Sequence, residues 1–90
     1  MDDLICRVKY NTQYGLENHL EDEVIEYTIK GTVEDRNIIT MIGCGALFCE
    51  GECLEEGMRI IFEVKVGRKW QVIEVWTDAS EHDRTEEDDR

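Results

Sequence analysis

Apolar and polar residues alternate with a period of two along much of this chain, the signature of strands with one buried face. In 4–10, Leu4, Cys6, Val8 and Tyr10 share one side, while Ile5, Arg7 and Lys9 share the other. In 25–34, Ile25, Tyr27, Ile29 and Val33 oppose Glu26, Thr28, Lys30, Thr32 and Glu34. Gly31 interrupts that run, where a bulge or sharp bend is expected. In 58–66, Met58, Ile60, Phe62, Val64 and Val66 form an inner side, and Arg59, Ile61, Glu63 and Lys65 an outer one. Gly67-Arg68-Lys69 then reads as a tight turn, because glycine accepts positive φ, and 70–76 as the returning strand of a hairpin.

The stretches between are less regular. Residues 11–23 are polar, with Leu16 and Leu20 at helical spacing, so a loop or one or two turns of helix is expected. Residues 34–37 read as a turn, 38–42 as a short apolar strand broken by Gly43-Cys44-Gly45, and 46–49 as further extended chain. Residues 50–57 form a turn-rich connection containing Gly51 and Gly57. Five or six short strands without a long helix or a proline predict an all-β, OB-like barrel over 1–77. Residues 78–90 are almost devoid of apolar side chains and predict a disordered acidic tail.

The segment from Lys30 to Trp76 resembles the cold-shock type of OB fold. The likeness rests on Lys30-Gly31-Thr32-Val33, on Leu54-Glu55-Glu56-Gly57-Met58-Arg59-Ile60-Ile61-Phe62-Glu63-Val64, and on Gly67-Arg68-Lys69 before a final apolar strand. It covers about half of the chain. The resemblance implies a small barrel of the kind found as an accessory module in RNA-processing proteins. The aromatic-rich strands with which that family stacks bases are missing: between Asn37 and Cys49 only Phe48 is aromatic.

Charge restricts the partners. The chain has 90 residues and a formal net charge of −12. Residues 1–27 and 78–90 carry −5 each, whereas 28–77 carry −2. Acidic ends repel a phosphate backbone and suit either solvation or a basic protein surface. No run of eighteen apolar residues occurs, so no membrane span is expected. Met1-Asp2-Asp3-Leu4 lacks a basic and apolar leader, and an intracellular location, cytoplasmic or nuclear, is expected. Cys6, Cys44, Cys49 and Cys53 are then expected as free thiols. The spacing C-x4-C-x3-C is a poor match to a zinc knuckle, so neither a metal nor a cofactor is expected.

The candidate binding residues are the aromatics Tyr27, Phe48, Trp70 and Trp76 with the bases Arg59, Lys65, Arg68 and Lys69. Stacking on a nucleic-acid base requires an exposed aromatic beside a base-bearing side chain. Core packing competes for both tryptophans, which the even spacing places on one face, and Phe62 falls in the apolar register. His19 and His82 lie in polar segments without an arranged nucleophile, so catalysis is not expected. Ile5, Ile38, Met41, Leu47 and Ile61 fall on possible outer faces that a partner would cover. The reading these features support is a non-enzymatic interaction module docking onto a protein, in RNA or nucleic-acid metabolism. Single-stranded RNA or DNA binding is the alternative, and an acidic mimic of nucleic acid occupying a basic groove is the second. The sequence leaves the oligomeric state open.

Overall fold

A computed structural model describes residues 3–79. The elements follow as β1 (Asp3–Asn11), α1 (Gln13–Glu17), β2 (Glu23–Lys30), α2 (Arg36–Cys49), β3 (Arg59–Val66) and β4 (Lys69–Thr77). The strands form one sheet in the order β2-β1-β3-β4, with every neighbouring pair antiparallel. The sheet is open, and α2 packs across one of its faces. The all-β, OB-like barrel of five or six strands is thus replaced by a two-layer arrangement of four strands and two helices among the described residues.

The region read as two strands, 38–42 and 46–49, is the helix α2. Its β-branched run Ile38-Ile39-Thr40 favours extended chain by local propensity. Two tertiary requirements override that preference. β1 lies between β2 and β3, so β2 and β3 run parallel. A parallel pair needs a crossover, and a helix is its usual form. The sheet also presents Cys6, Val8, Ile60, Phe62 and Val64, all fully buried, on one face that something must cover. Ile39, Gly43 and Leu47 recur every four residues, which gives the helix a stripe to lay on that face. A Cβ at Gly43 would lie 2.7 Å from Tyr27 Oη and 2.8 Å from Phe62 Cε1, so only glycine lets the two layers approach this closely.

The helix ends where the sequence stops it. Gly51 takes a positive φ of 87°. Its N–H donates to the Phe48 carbonyl, and that of Glu52 to the Leu47 carbonyl, each at 3.0 Å. This pair of bonds is the Schellman stop, which satisfies carbonyls left open at a helix end. At the other end Asp35 directs its carboxylate back to the Thr32 N–H at 2.8 Å and makes no side-chain cap. The short helix α1 is capped by Thr12, whose hydroxyl accepts from the Gly15 N–H at 3.1 Å.

The β3–β4 hairpin forms as the alternation predicts. Val66 pairs with Lys69 across Gly67, whose φ is 66°. Its register shifts once: Phe62 pairs with Glu74 and Glu63 with Val72, leaving Ile73 as an extra residue on β4. This bulge overturns the shared face expected for the two tryptophans. Trp76 pairs with Ile60 on the helix side, and Trp70 with Lys65 on the open side. An extra residue on one strand shifts the alternation by one and re-aims every side chain beyond it.

Of the tail expected over 78–90, residues 80–90 lie outside the described residues. The first two are packed: an Asp78 carboxylate oxygen accepts from the Gly57 N–H at 3.2 Å, and Ala79 is buried.

Candidate functional site

The two layers leave two broad surfaces facing solvent. The first is the outer side of α2. At about 100° per residue, Ile38, Met41, Ile42, Gly45, Phe48 and Cys49 fall within one arc opposite the buried Ile39, Gly43 and Leu47. Met41 is 65% exposed and Phe48 50%, with Ile42 at 41% and Ile38 at 39%. Gly45 lies at the centre of this arc, and a Cβ there would touch nothing within 4 Å. Arg36, at the first position, is the only charged residue of the helix. A helix that is apolar on all sides belongs between two covers; among the described residues α2 has one, the sheet.

The second surface is the open side of the sheet. Its rows follow from the register: Thr28, Ile5, Lys65 and Trp70; Glu26, Arg7, Glu63 and Val72; Val24, Lys9, Ile61 and Val75. At its centre the Glu63 side chain is only 8% exposed. Arg7 Nε donates to Glu63 Oε1, and Lys9 Nζ lies 3.8 Å from Oε2. The Arg7 guanidinium also stacks over the Trp70 ring at 4.1 Å, with Lys65 Nζ at 5.9 Å. Each apolar residue on this side therefore has a charged or polar neighbour. At the far end Arg59 pairs with Asp22 at 3.0 Å.

The candidates named from the sequence separate accordingly. Lys65 and Trp70 meet on the open face. Arg59 stands on the same face but is held by Asp22. Arg68 occupies the hairpin turn, and Lys69, opposite Val66, lies on the helix side. Tyr27 points under α2, where its hydroxyl donates to the Ile39 carbonyl at 2.8 Å. Burial, with Cys6 and Cys44 nearby, holds that hydroxyl well above its ordinary range. Trp76 packs edge-on against Phe62 at 4.9 Å, and its indole N–H donates to Glu74 at 2.6 Å. Phe48 stands alone among the aromatics on the outer face of α2. Arg7, Lys9 and Glu63 were missed as a group: only strand pairing reveals that Glu63, more than fifty positions away, lies opposite Arg7 and one row from Lys9. Ile38 and Met41 were foreseen as outer apolar residues, whereas Leu47 is fully buried.

A third feature is a concavity of about 330 Å³ beside α1, lined in part by Tyr10, Glu21, Glu23 and Glu52. Burial, then Glu52, Glu23 and Glu50, raise the Tyr10 hydroxyl above its ordinary value. Among the described residues no group of three His, Cys, Asp or Glu is placed to hold a metal ion. No helix among them is long and apolar enough to cross a membrane. No protein-family profile, curated protein or solved structure matches this chain.

Proposed function

We propose that this domain is a non-catalytic interaction module that docks onto a protein partner through the outer face of α2. The observation that carries this reading is the contiguous exposure of Ile38, Met41, Ile42 and Phe48 on a helix with no charge beyond Arg36. The surrounding chain is 36% charged, so this face stands out against its own protein. Contiguous apolar patches of this kind on soluble domains mark interaction sites. Affinity capture with the wild-type chain, with Met41→Asp/Phe48→Asp and with Trp70→Ala tests it. Loss of the captured protein in the α2 variant alone supports the reading; equal capture by the wild type and the α2 variant overturns it. A partner in RNA metabolism rests on the sequence likeness of residues 30–76 alone, since the open four-stranded sheet is not the barrel that likeness implies.

The cluster of Arg7, Lys65 and Trp70 favours a second reading, single-stranded nucleic acid on the open sheet face. Against it stand the net charge of −12 and the engagement of Arg7 by Glu63. Salt-sensitive quenching of Trp70 fluorescence by single-stranded RNA, absent in Arg7→Ala, would place this reading first.

A further inference from the structure

We propose that the concavity beside α1 is a binding site for a guanidinium group, with Tyr10, Glu21, Glu23 and Glu52 as its walls. The site is separate from the outer face of α2, since none of Ile38, Met41, Ile42 or Phe48 lines it. At about 330 Å³ it lies at the small end of the range of ligand sites.

Two observations point to a ligand. Tyr10 lines the concavity and is only 7% exposed, yet its hydroxyl makes no hydrogen bond among the described residues. A buried hydroxyl ordinarily has a partner, as Tyr27 has in the Ile39 carbonyl. The carboxylates around Tyr10 are the second observation. Asp22 shows how this chain holds a carboxylate whose task is structural: Arg59 and the Asn11 amide both reach it at 3.0 Å. The side chains of Glu21, Glu23 and Glu52 have no ion pair or hydrogen bond among the described residues. No Lys or Arg lines the concavity to balance them.

The walls are set by the backbone. Glu23 pairs with Tyr10 across β1 and β2, so both side chains leave the sheet on the helix side. Glu52 is held at the end of α2, where its N–H donates to the Leu47 carbonyl. Glu21 sits between Leu20, whose carbonyl accepts from the Asn11 amide at 2.9 Å, and Asp22. α1 lies close against this corner, because a Cβ at Gly15 would run into Asn11 Oδ1.

The lining therefore offers negative charge and oxygen acceptors from separate segments. Among the described residues no three of these groups gather closely enough to hold a metal ion. A guanidinium presents five N–H donors in one plane and can meet acceptors on different walls at once. An ammonium is a compact point charge and serves fewer of them in fixed geometry. The net charge of −12 draws cations to the whole chain, and the concavity is where acceptors surround one.

Solution NMR of the full chain tests this, with the backbone amides of 10–12, 20–24 and 51–53 as the readout and circular dichroism checking the fold of each variant. The probes are methylguanidinium and the peptide acetyl-Gly-Arg-Gly-amide, titrated at fixed ionic strength. Saturable shifts confined to those segments are expected, with a dissociation constant on the order of millimolar. The same peptide with uncharged citrulline in place of arginine is expected to leave them unmoved. Glu23→Gln/Glu52→Gln is expected to weaken binding by about tenfold and Tyr10→Phe by about threefold. Glu34→Gln, which is not part of the lining, is expected to change nothing. Tighter binding of the peptide than of methylguanidinium would assign the site to an arginine of a partner chain, and equal binding to a small guanidinium compound. Equal weakening by Glu34→Gln and by Glu23→Gln/Glu52→Gln would reveal general attraction to an acidic chain and overturn the inference. Citrulline peptide or methylammonium binding as tightly as the guanidinium probes, or no saturable shift with either probe, would also overturn it.

Discussion

The outer face of α2 and the open face of the sheet both expose aliphatic side chains, yet they meet water differently. On the sheet, Ile5, Val24, Val72 and Val75 are each about half exposed. They stand in rows with Arg7, Lys9, Lys65, Glu26 and Glu63. The charged side chains cover their neighbours with their aliphatic stems and neutralise one another around Glu63. That surface can remain wet. On α2 the residues three and four apart are apolar in turn, so exposed carbon adjoins exposed carbon along the helix. The lesson is that a similar number of exposed aliphatics has a different meaning according to what lies beside each one.

The contrast can be broken first at its shared support. Phe62 lies beneath α2 and against Trp76. Phe62→Ala is expected to cost about 3–5 kcal/mol and to loosen the helix from the sheet, read as a large drop in the urea midpoint. Alkaline pH acts on the same interior. Burial pushes the Cys6 thiol up to about 11 from its ordinary 9.0. The thiol stays protonated in the fold while the unfolded chain ionises. Its contribution is complete below pH 9.0 and lost as pH rises toward about 11. A loss on the order of 2 kcal/mol is expected over that interval, shallower in Cys6→Ala, with urea titrations at each pH as the measurement. Iodoacetamide should label the exposed Cys49 and spare Cys6.

Two glycines on opposite sides of α2 sharpen the comparison. Gly43→Ala drives a Cβ into Phe62 and Tyr27 and is expected to destabilise by about 1–3 kcal/mol. Gly45→Ala enters open space and is expected to stabilise by about 0.5–1 kcal/mol. Thermal melts of the pair should move in opposite directions; equal signs would contradict the assignment of inner and outer faces. On the sheet, Arg7→Ala leaves the buried Glu63 with Lys9 at 3.8 Å and is expected to cost about 1–2 kcal/mol. Replacing both Arg7 and Glu63 by leucine should recover part of that loss. The smallest expected effect is Met41→Asp, within about 0.5 kcal/mol of wild-type stability. A surface that serves only solubility would tolerate this change in every assay, whereas the proposed docking face would lose its partner.

Alternation alone placed β1, the main part of β2, and the β3–β4 hairpin with its glycine turn, because a period of two leaves one buried side wherever the strand goes. It also marked Cys6, Val8, Ile60, Phe62 and Val64 as interior. The segment from Arg36 to Cys49 was ambiguous, since a short apolar run suits a buried strand and a helix equally. The helix was decided by the parallel relation of β2 and β3 and by the apolar sheet face that needed a cover. The opposite facing of Trp70 and Trp76 came from the single extra residue Ile73. The grouping of Arg7, Glu63 and Trp70 came from strand order, which brings together residues that are remote along the chain. Local pattern thus determined which residues avoid water, while pairing and register, set only when the whole sheet assembles, decided which of them meet and which remain uncovered.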